Sequence, residues 1–166
     1  MGWATRPPPA RSVYQYRIEK DRLAITIKLE GGDCIEGFIF VQPSVYRHLG
    51  REEPIDLFNA PEPFFPLVCG DGTTLLVAKN CVIEAWPVQP SEDDEVRLAA
   101  AHAADLEITL RDGTVHQGTL PIELRSDQPR LLDFLNSHHE RFLALHAADA
   151  IRLINTHAIK CVRPLD

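Results

Sequence analysis

The residues best suited to chemistry in this chain are four histidines crowded into its second half, namely His138, His139, His146 and His157. Zinc would need about four such ligands on converging backbone. The first half of the chain has no corresponding cluster. We therefore interpret these residues as surface or core histidines and expect no bound metal and no cofactor.

Motifs of the common enzyme classes are missing from the sequence. No serine or cysteine stands in a nucleophile-elbow or papain-like context. No GxxxxGK[ST] or GxGxxG loop is present to bind phosphate. The adjacent carboxylates Glu52 and Glu53 lie in an ordinary polar loop. The sequence therefore predicts a protein that is not an enzyme.

The four cysteines, Cys34, Cys69, Cys81 and Cys161, include no CxxC pair. Two disulfides are one alternative. Each cysteine lies in an apolar, strand-like run, so reduced core cysteines and a cytoplasmic protein are the preferred interpretation. No apolar run approaches the roughly 18 residues that span a bilayer, so no membrane association is expected.

The net charge of −7 is unevenly distributed. Residues 1–22 carry five basic and two acidic groups, whereas residues 23–88 carry four basic and nine acidic groups. Residues 105–166 carry seven basic and nine acidic groups. Counterion-driven binding of nucleic acid uses a basic excess. Only the N-terminal arm, residues 1–22, offers one.

The sequence repeats itself with a period of roughly 80 residues, longer than that of solenoid repeats, so each copy is expected to be a small domain. Residues 25–37 resemble residues 107–118, so that Gly32 and Gly37 correspond to Gly113 and Gly118. Farther along, Asp56-Leu57-Phe58-Asn59 corresponds to Asp133-Phe134-Leu135-Asn136.

Each copy is predicted to contain five short strands. Alternating apolar residues lead into a tight hairpin at Gly31-Gly32 in the first copy and at Asp112-Gly113 in the second. We expect positive φ angles at Gly32 and Gly113. Gly37 and Gly118 are grouped with them as turn glycines. The other strands are predicted at 35–41, 64–68, 74–78 and 81–86, and at 115–122, 142–146, 150–155 and 158–162.

The two or three residues between the last two strands of each copy favour a strongly bent barrel. The predicted core positions are Leu23, Ile25, Ile27, Val82 and Ile83 in the first copy, and Ile108, Leu110, Val115, Leu145, Leu153, Ile154 and Ile159 in the second.

Short helical segments complete the prediction. Pro54 and Pro129 suit the first turn of a helix, whose Asp and Asn would satisfy backbone groups in the loop. Between the copies, Ser91, four acidic residues and a run of alanines predict a helical linker over residues 89–105. A protein-docking patch is the alternative interpretation of the acidic run.

The order of these elements resembles the Sm-like (LSm-type) small β-barrel: a strand, a glycine hairpin, a strand with a central glycine, Asp and Asn nearby, and two strands split by a tight turn. The resemblance covers residues 23–88 and 106–164. It implies a mostly β protein of a bacterial type, with two tandem five-stranded barrels. The barrels would occupy residues 23–88 and 106–166, after the arm at 1–22.

In RNA-binding Sm proteins, an Asp and an Asn after the second strand form a nucleotide pocket with an Arg-Gly pair before the fifth. The resemblance assigns this loop site to Asp56, Asn59, Lys79, Asp133, Asn136 and Asn155. Ala78-Lys79 and Asn155-Thr156 replace the Arg-Gly pair, so the guanidinium that stacks on bases is missing. RNA binding is therefore the alternative function, and a self-assembling scaffold or protein-interaction module is the preferred one.

The resemblance also implies self-association, because the family closes rings by pairing the edges of its fourth and fifth strands. The candidate edges are 74–78 with 81–86, and 150–155 with 158–162. Three chains would mimic a hexamer of barrels, and two would give a smaller assembly. In a monomeric alternative, the arm around residues 14–18 covers an open edge. A small-molecule sensor that uses the crevice between barrels is a third hypothesis.

Overall fold

The computed structural model describes residues 21–42, 52–88, 102–122 and 131–165. The first half contains β1 (Asp21–Leu29), β2 (Cys34–Val41), α1 (Pro54–Asn59), β3 (Phe64–Cys69), β4 (Thr74–Ala78) and β5 (Val82–Pro87). The second half contains β6 (His102–Leu110), β7 (Val115–Ile122), α2 (Leu131–Ser137), β8 (Phe142–Ala147), β9 (Ile151–Asn155) and β10 (Ile159–Pro164). A 3-10 turn precedes both β5 and β10. The predicted mostly β class is confirmed.

All of these strands join one open antiparallel sheet in the order β10-β6-β7-β8-β9-β5-β1-β2-β3-β4. Within each half the order is the same: the fifth strand, then the first, second, third and fourth. The halves are joined where β5 pairs with β9. As a result, β4 and β10 form the two ends of the sheet.

The first hairpin of each half turns at a glycine, as predicted. Gly32 has a φ of 94° and Gly113 a φ of 90°. In the second hairpin the Gly113 N–H donates to the Leu110 carbonyl oxygen at 3.0 Å. The Asp112 carboxylate accepts the Thr114 N–H at 2.9 Å. The turn is therefore closed from both sides of the glycine.

Gly37 and Gly118 lie inside β2 and β7 rather than in turns, so their grouping with the turn glycines was wrong. Their role is to allow close approach of the backbone. A Cβ at Gly37 would lie 2.7 Å from the Val68 carbonyl oxygen, and one at Gly118 would lie 2.6 Å from that of His146. Any side chain at these positions would push the third strand of its half away from the second.

The buried apolar residues form two clusters that cross the boundary between the halves. The first-half cluster contains Ile25, Ile27 and Val82 as predicted, but also Phe142 and Leu153 from the second half. The second-half cluster contains Ile108, Leu110, Leu145 and Ile154 as predicted, with Ile83 of the first half packed against it. Leu23 and Ile159 pack at the margins of the clusters.

Three core predictions were wrong. Leu153 packs in the first cluster because β9 pairs with β5 across the junction. Ile83 packs against the second cluster for the same reason. Val115 is 51% exposed. The alternation of β7 turns His116, Gly118, Leu120 and Ile122 inward and leaves Val115 on the outer side.

The cysteines and the linker also differ from prediction. All four cysteines are free, but Cys34, Cys81 and Cys161 are exposed rather than in the core. Residues 102–105 belong to β6, where pairing with β7 overrides the helical propensity of the alanines. The remainder of the predicted linker, the arm through residue 20, and Pro129 lie outside the described residues.

Candidate functional site

The junction of β5 with β9 unites the two halves through a short stretch of paired backbone. Glu84 lies opposite Ile154, and Ala85 lies opposite Leu153. By comparison, β1 and β2 match eight residue pairs. Two matched pairs also join β2 to β3 and β7 to β8 within the halves, and side chains add further contacts across the junction.

Two asparagines from the predicted loop site bridge this junction. Asn59, at the end of α1, donates from Nδ2 to the Phe142 carbonyl oxygen at 3.1 Å and accepts the Phe142 N–H on Oδ1 at 2.8 Å. Asn155, at the end of β9, donates to the Val82 carbonyl oxygen at 2.9 Å and accepts the His157 N–H at 3.0 Å. Both amides thus bind backbone of the other half.

An aromatic cluster accompanies the Asn59 bridge. The ring of Phe142 is fully buried and meets that of Phe58 edge-on, with centroids 5.0 Å apart. Phe58 also lies 5.0 Å from Phe65. Because Phe58 and Phe65 belong to the first half, Phe142 serves as an anchor for the second half in the first-half core.

The other residues assigned by resemblance lie elsewhere. The Asp56 carboxylate accepts the Glu53 N–H at 2.9 Å and so caps α1, as the local reading of this segment predicts. Lys79 is 1% exposed, and its Nζ donates to the Ala60 carbonyl oxygen at 2.8 Å. Burial lowers the pKa of Lys79. Asp133 and Asn136 are exposed on α2.

A buried carboxylate lies at the centre of the junction. Glu84 of β5 is 2% exposed. Its Oε2 lies 2.6 Å from His116 Nε2 and 3.9 Å from Arg152 Nη1, both in the second half. Its Oε1 lies 3.9 Å from Lys28 Nζ, on the neighbouring strand of its own half. Three basic side chains therefore surround one carboxylate.

The basic partners extend the network to the surface. Lys28 Nζ lies 2.6 Å from Asp112 Oδ2 and donates to Thr114 Oγ1 at 2.9 Å, so it reaches the hairpin of the other half. The Lys28 ammonium, together with the Thr114 N–H, lowers the pKa of Asp112 from 3.8 to about 2. This ionic pair is a second link between the halves.

Arg152 is held in place by two further groups. Its Nη2 lies 2.6 Å from the Asp149 carboxylate. Its guanidinium lies 4.3 Å from the centre of the Trp86 ring, a cation–π contact across the junction. These two contacts hold the guanidinium beside Glu84, where its positive charge faces the negative carboxylate.

Sequence reasoning missed this ionic network, although a signal was present. Glu84 interrupts the apolar run Val82-Ile83-Glu84-Ala85-Trp86, and Arg152 interrupts β9 in the same way. A charged residue on the buried face of a strand needs a partner, because burial of an unpaired charge is costly. Two such interruptions of opposite sign predict a pair.

A polar cavity of about 450 Å³ lies beside the junction. It is lined by Asn59 of the first half and by His138, His139, Arg141 and His157 of the second half, among other residues. Three of the four histidines singled out in the sequence therefore share one cavity. Within the described ranges, no three His, Cys, Asp or Glu side chains are grouped so that they could hold a metal ion.

The two ends of the sheet expose side chains whose counterparts are buried at the junction. Phe64, the first residue of β3, is 57% exposed, whereas Phe142, the first residue of β8, is 0% exposed. Leu76, the third residue of β4, is 73% exposed, whereas Leu153, the third residue of β9, is 2% exposed. At the β4 edge, the apolar side chains that correspond to those buried between β9 and β5 are therefore exposed.

At the other end of the sheet, the β10 edge also exposes positions whose counterparts are buried at the junction. Cys161 and Val162, the third and fourth residues of β10, are exposed and half-buried. Their counterparts in β5, Glu84 and Ala85, are buried. The β10 edge therefore has the backbone position of β5, but within the described ranges no strand pairs with its outer side.

Among the described residues, none lies in a helix long and apolar enough to cross a membrane. No family model matches the chain, and neither a curated protein nor a solved structure matches it.

Proposed function

We propose that this chain is a non-enzymatic, tandem Sm-like protein that assembles end to end through the β4 and β10 edges and acts as a scaffold or protein-interaction module. The observation that carries the proposal is the exposure of Phe64 and Leu76 at positions whose counterparts, Phe142 and Leu153, are buried at the inner junction.

Backbone chemistry supports assembly at these edges. An unpaired edge strand presents N–H and C=O groups that a strand from another chain can pair. Among the described strands, β4 pairs only with β3, and β10 pairs only with β6. At the inner junction β5 and β9 pair antiparallel. Because β10 corresponds to β5 and β4 to β9, β10 of one chain can pair with β4 of another in the same way.

The inner junction also supplies a template for side-chain attachment. Asn136 is the last but one residue of α2 and corresponds to Asn59 in the repeated sequence. Asn59 binds both backbone groups of Phe142, whereas Asn136 is exposed. In an end-to-end assembly Asn136 would bind the backbone of Phe64 in the next chain.

The matching strand order of the two halves supports their interpretation as duplicated Sm-like barrels. An interface between unlike edges is heterologous, so it closes a ring when its rotation permits and extends a fibre when it does not. A ring of three chains would contain six such units, and a ring of two chains would contain four.

Sedimentation of two lysine variants tests the proposal. Leu76→Lys places a charge on the β4 edge, so we expect self-association to weaken at least about tenfold, because the charge would be buried in the apolar interface. Val115→Lys is the matched control. Val115 is also exposed, but its strand lies inside the sheet. We expect V115K to associate like the wild type.

Equal association of L76K and V115K would rule out the β4 edge as the interface. Thermal unfolding of both variants at low concentration is the folding control. Neither substitution should lower the stability of the single chain by more than about 0.5 kcal/mol, because both side chains are exposed.

RNA binding is the second candidate, and the cavity lined by Arg141 and three histidines is the observation in its favour. Two features oppose it. Lys79 is buried with its ammonium on the Ala60 carbonyl. The chain as a whole carries a net charge of −7.

We therefore expect weak binding of uridine- or adenine-rich oligonucleotides at about 0.15 M salt, because net negative charge opposes contact with phosphates. Fluorescence anisotropy measures the affinity. A submicromolar dissociation constant that Arg141→Ala abolishes would instead establish the cavity as an RNA site.

A further inference from the structure

The buried carboxylate of Glu84 has three basic neighbours at unequal distances. Lys28 Nζ lies 3.9 Å from its Oε1 and Arg152 Nη1 lies 3.9 Å from its Oε2, and both distances exceed that of a hydrogen bond. His116 Nε2 lies only 2.6 Å from Oε2. Within the network, His116 is therefore the closest basic partner of Glu84.

The other two basic side chains are paired more closely with other carboxylates. Lys28 Nζ lies 2.6 Å from Asp112 Oδ2, and Arg152 Nη2 lies 2.6 Å from Asp149 Oδ2. With the buried carboxylate, the network thus contains three negative groups but only two cations that stay charged at neutral pH. A protonated imidazole at His116 supplies the third positive charge and balances the network.

Burial makes the charge of His116 important for the junction. The Glu84 side chain is 2% exposed and that of His116 is 14% exposed. A buried charge that lacks a compensating charge is costly, because little water surrounds it. Histidine is the side chain whose ordinary charge change falls between about pH 5 and pH 8. The charge balance at the junction therefore depends on pH within this range.

The strands on either side of His116 bring no competing charge to its face of the sheet. In β6, the apolar residue Ile108 lies opposite His116. The other titratable groups near this position in β6 and β8 lie on the opposite face of the sheet, and they are Asp105, Glu107 and His146. Among the described residues, the charged groups that face His116 are thus those of the network itself.

We propose that the inner junction is a pH-sensitive contact, in which protonation of His116 tightens the attachment of β7 to Glu84 of β5 and loss of that proton loosens it. The stabilisation is fully present below about pH 6, where an ordinary histidine is charged, and it is lost as the pH rises toward about 8. The contact lies within a single chain, so it is independent of end-to-end assembly.

Chemical denaturation at about pH 6 and pH 8 tests this contact. In the wild type the equilibrium constant for unfolding should be larger at pH 8, because the network has lost a positive charge. His116→Gln keeps an N–H donor but cannot become charged, so the ratio of the two constants should be at least about threefold smaller than in the wild type. His139→Gln is the matched control, because His139 is exposed. Its ratio should equal that of the wild type.

Glu84→Gln tests the partner of His116. This variant keeps the shape of the side chain but leaves a charged imidazole beside Lys28 and Arg152 without the buried carboxylate. Its ratio of unfolding constants should therefore fall to that of H116Q or below. An E84Q ratio equal to that of the wild type would assign the pH dependence to another group and would overturn the proposal.

Trp86 provides a second readout at the unaltered network, because its ring lies 4.3 Å from the Arg152 guanidinium across the junction. The chain contains two tryptophans, so Trp3→Phe leaves Trp86 as the one that remains. In this variant the emission of Trp86 should move to longer wavelength between about pH 6 and pH 8, since a looser junction admits water. Circular dichroism should show unchanged secondary structure over the same range.

The outcomes separate the specific contact from a general effect of histidines. Equal ratios in the wild type and H116Q would overturn the proposal, and so would a ratio that falls equally in H116Q and H139Q. If H116Q or E84Q does not fold, the emission of Trp86 in the W3F chain decides. In that case, constant emission from about pH 6 to pH 8 would overturn the pH-sensitive contact.

Discussion

The inner junction and the two ends of the sheet are formed by corresponding strands: β9 and β5 pair with each other at the junction, whereas β4 and β10 are edge strands. At the junction, β9 is covered by β5, and Phe142, Leu153 and Glu84 are buried. At the ends, β4 and β10 occupy corresponding places, and Phe64 and Leu76 are exposed. The difference shows that burial in this protein depends on the partner strand as well as on the apolar pattern of a strand itself. The same pattern inside one half produces either a core residue or an exposed residue.

The largest expected effect comes from truncating the corresponding phenylalanines. Phe142→Ala should lower the free energy of unfolding by about 3–5 kcal/mol, because it removes a fully buried ring from the shared core. Phe64→Ala should change the stability of the isolated chain by less than about 0.5 kcal/mol. Chemical denaturation at low protein concentration measures both. Similar losses in the two variants would show that Phe64 is part of a core within one chain.

Replacing the corresponding residues Asn59 and Asn136 should give a smaller difference in stability of the same kind. Asn59→Ala should cost about 2 kcal/mol of stability, because it leaves the N–H and the carbonyl of Phe142 without their bonds. Asn136→Ala should leave the stability of the single chain nearly unchanged and weaken its self-association. Denaturation and sedimentation of the two variants measure these effects separately. If N136A lost stability and N59A did not, Asn136 rather than Asn59 would be the asparagine that joins the two halves of one chain.

The smallest expected effect concerns acid. Because the folded pKa of Asp112, about 2, lies below the usual 3.8, its contact with Lys28 stabilises the protein above about pH 4 and is lost as the pH falls toward 2. Asp112→Asn should remove this part of the pH dependence of the melting temperature.

Asp71 is the matched control for that prediction. It accepts the Thr73 N–H at 2.8 Å in the β3–β4 turn, as Asp112 accepts that of Thr114, but it lies at the open end of the sheet. Asp71→Asn should change the acid dependence less than D112N does. An equal change in both variants would assign the effect to the turns rather than to the link between the halves.

Local chemistry made much of the fold predictable. Alternating apolar residues from Leu23 to Leu29 predicted β1, which begins two residues earlier, and the strand predicted at 74–78 has the bounds of β4. Glycines predicted the hairpins at Gly32 and Gly113. Pro54 marked the start of α1. Each of these signals lies within a few neighbouring residues. These elements can therefore be predicted without knowing which distant strands pair.

The prediction failed where distant strands decide the outcome. Leu153 belongs to the first-half core only because β9 pairs with β5, and no local pattern specifies that pairing. Asn59 was assigned to a loop site by resemblance, yet its amide binds the backbone of Phe142, 83 residues away. The ionic network around Glu84 was missed because its members are scattered from Lys28 to Arg152.

The mass of the wild-type protein in solution tests the central claim most directly. Light scattering coupled to gel filtration, run across a tenfold range of concentration, should give a mass that is a multiple of the 18.6 kDa of one chain and that approaches one plateau if a ring closes. A mass of 18.6 kDa at every concentration would contradict end-to-end assembly.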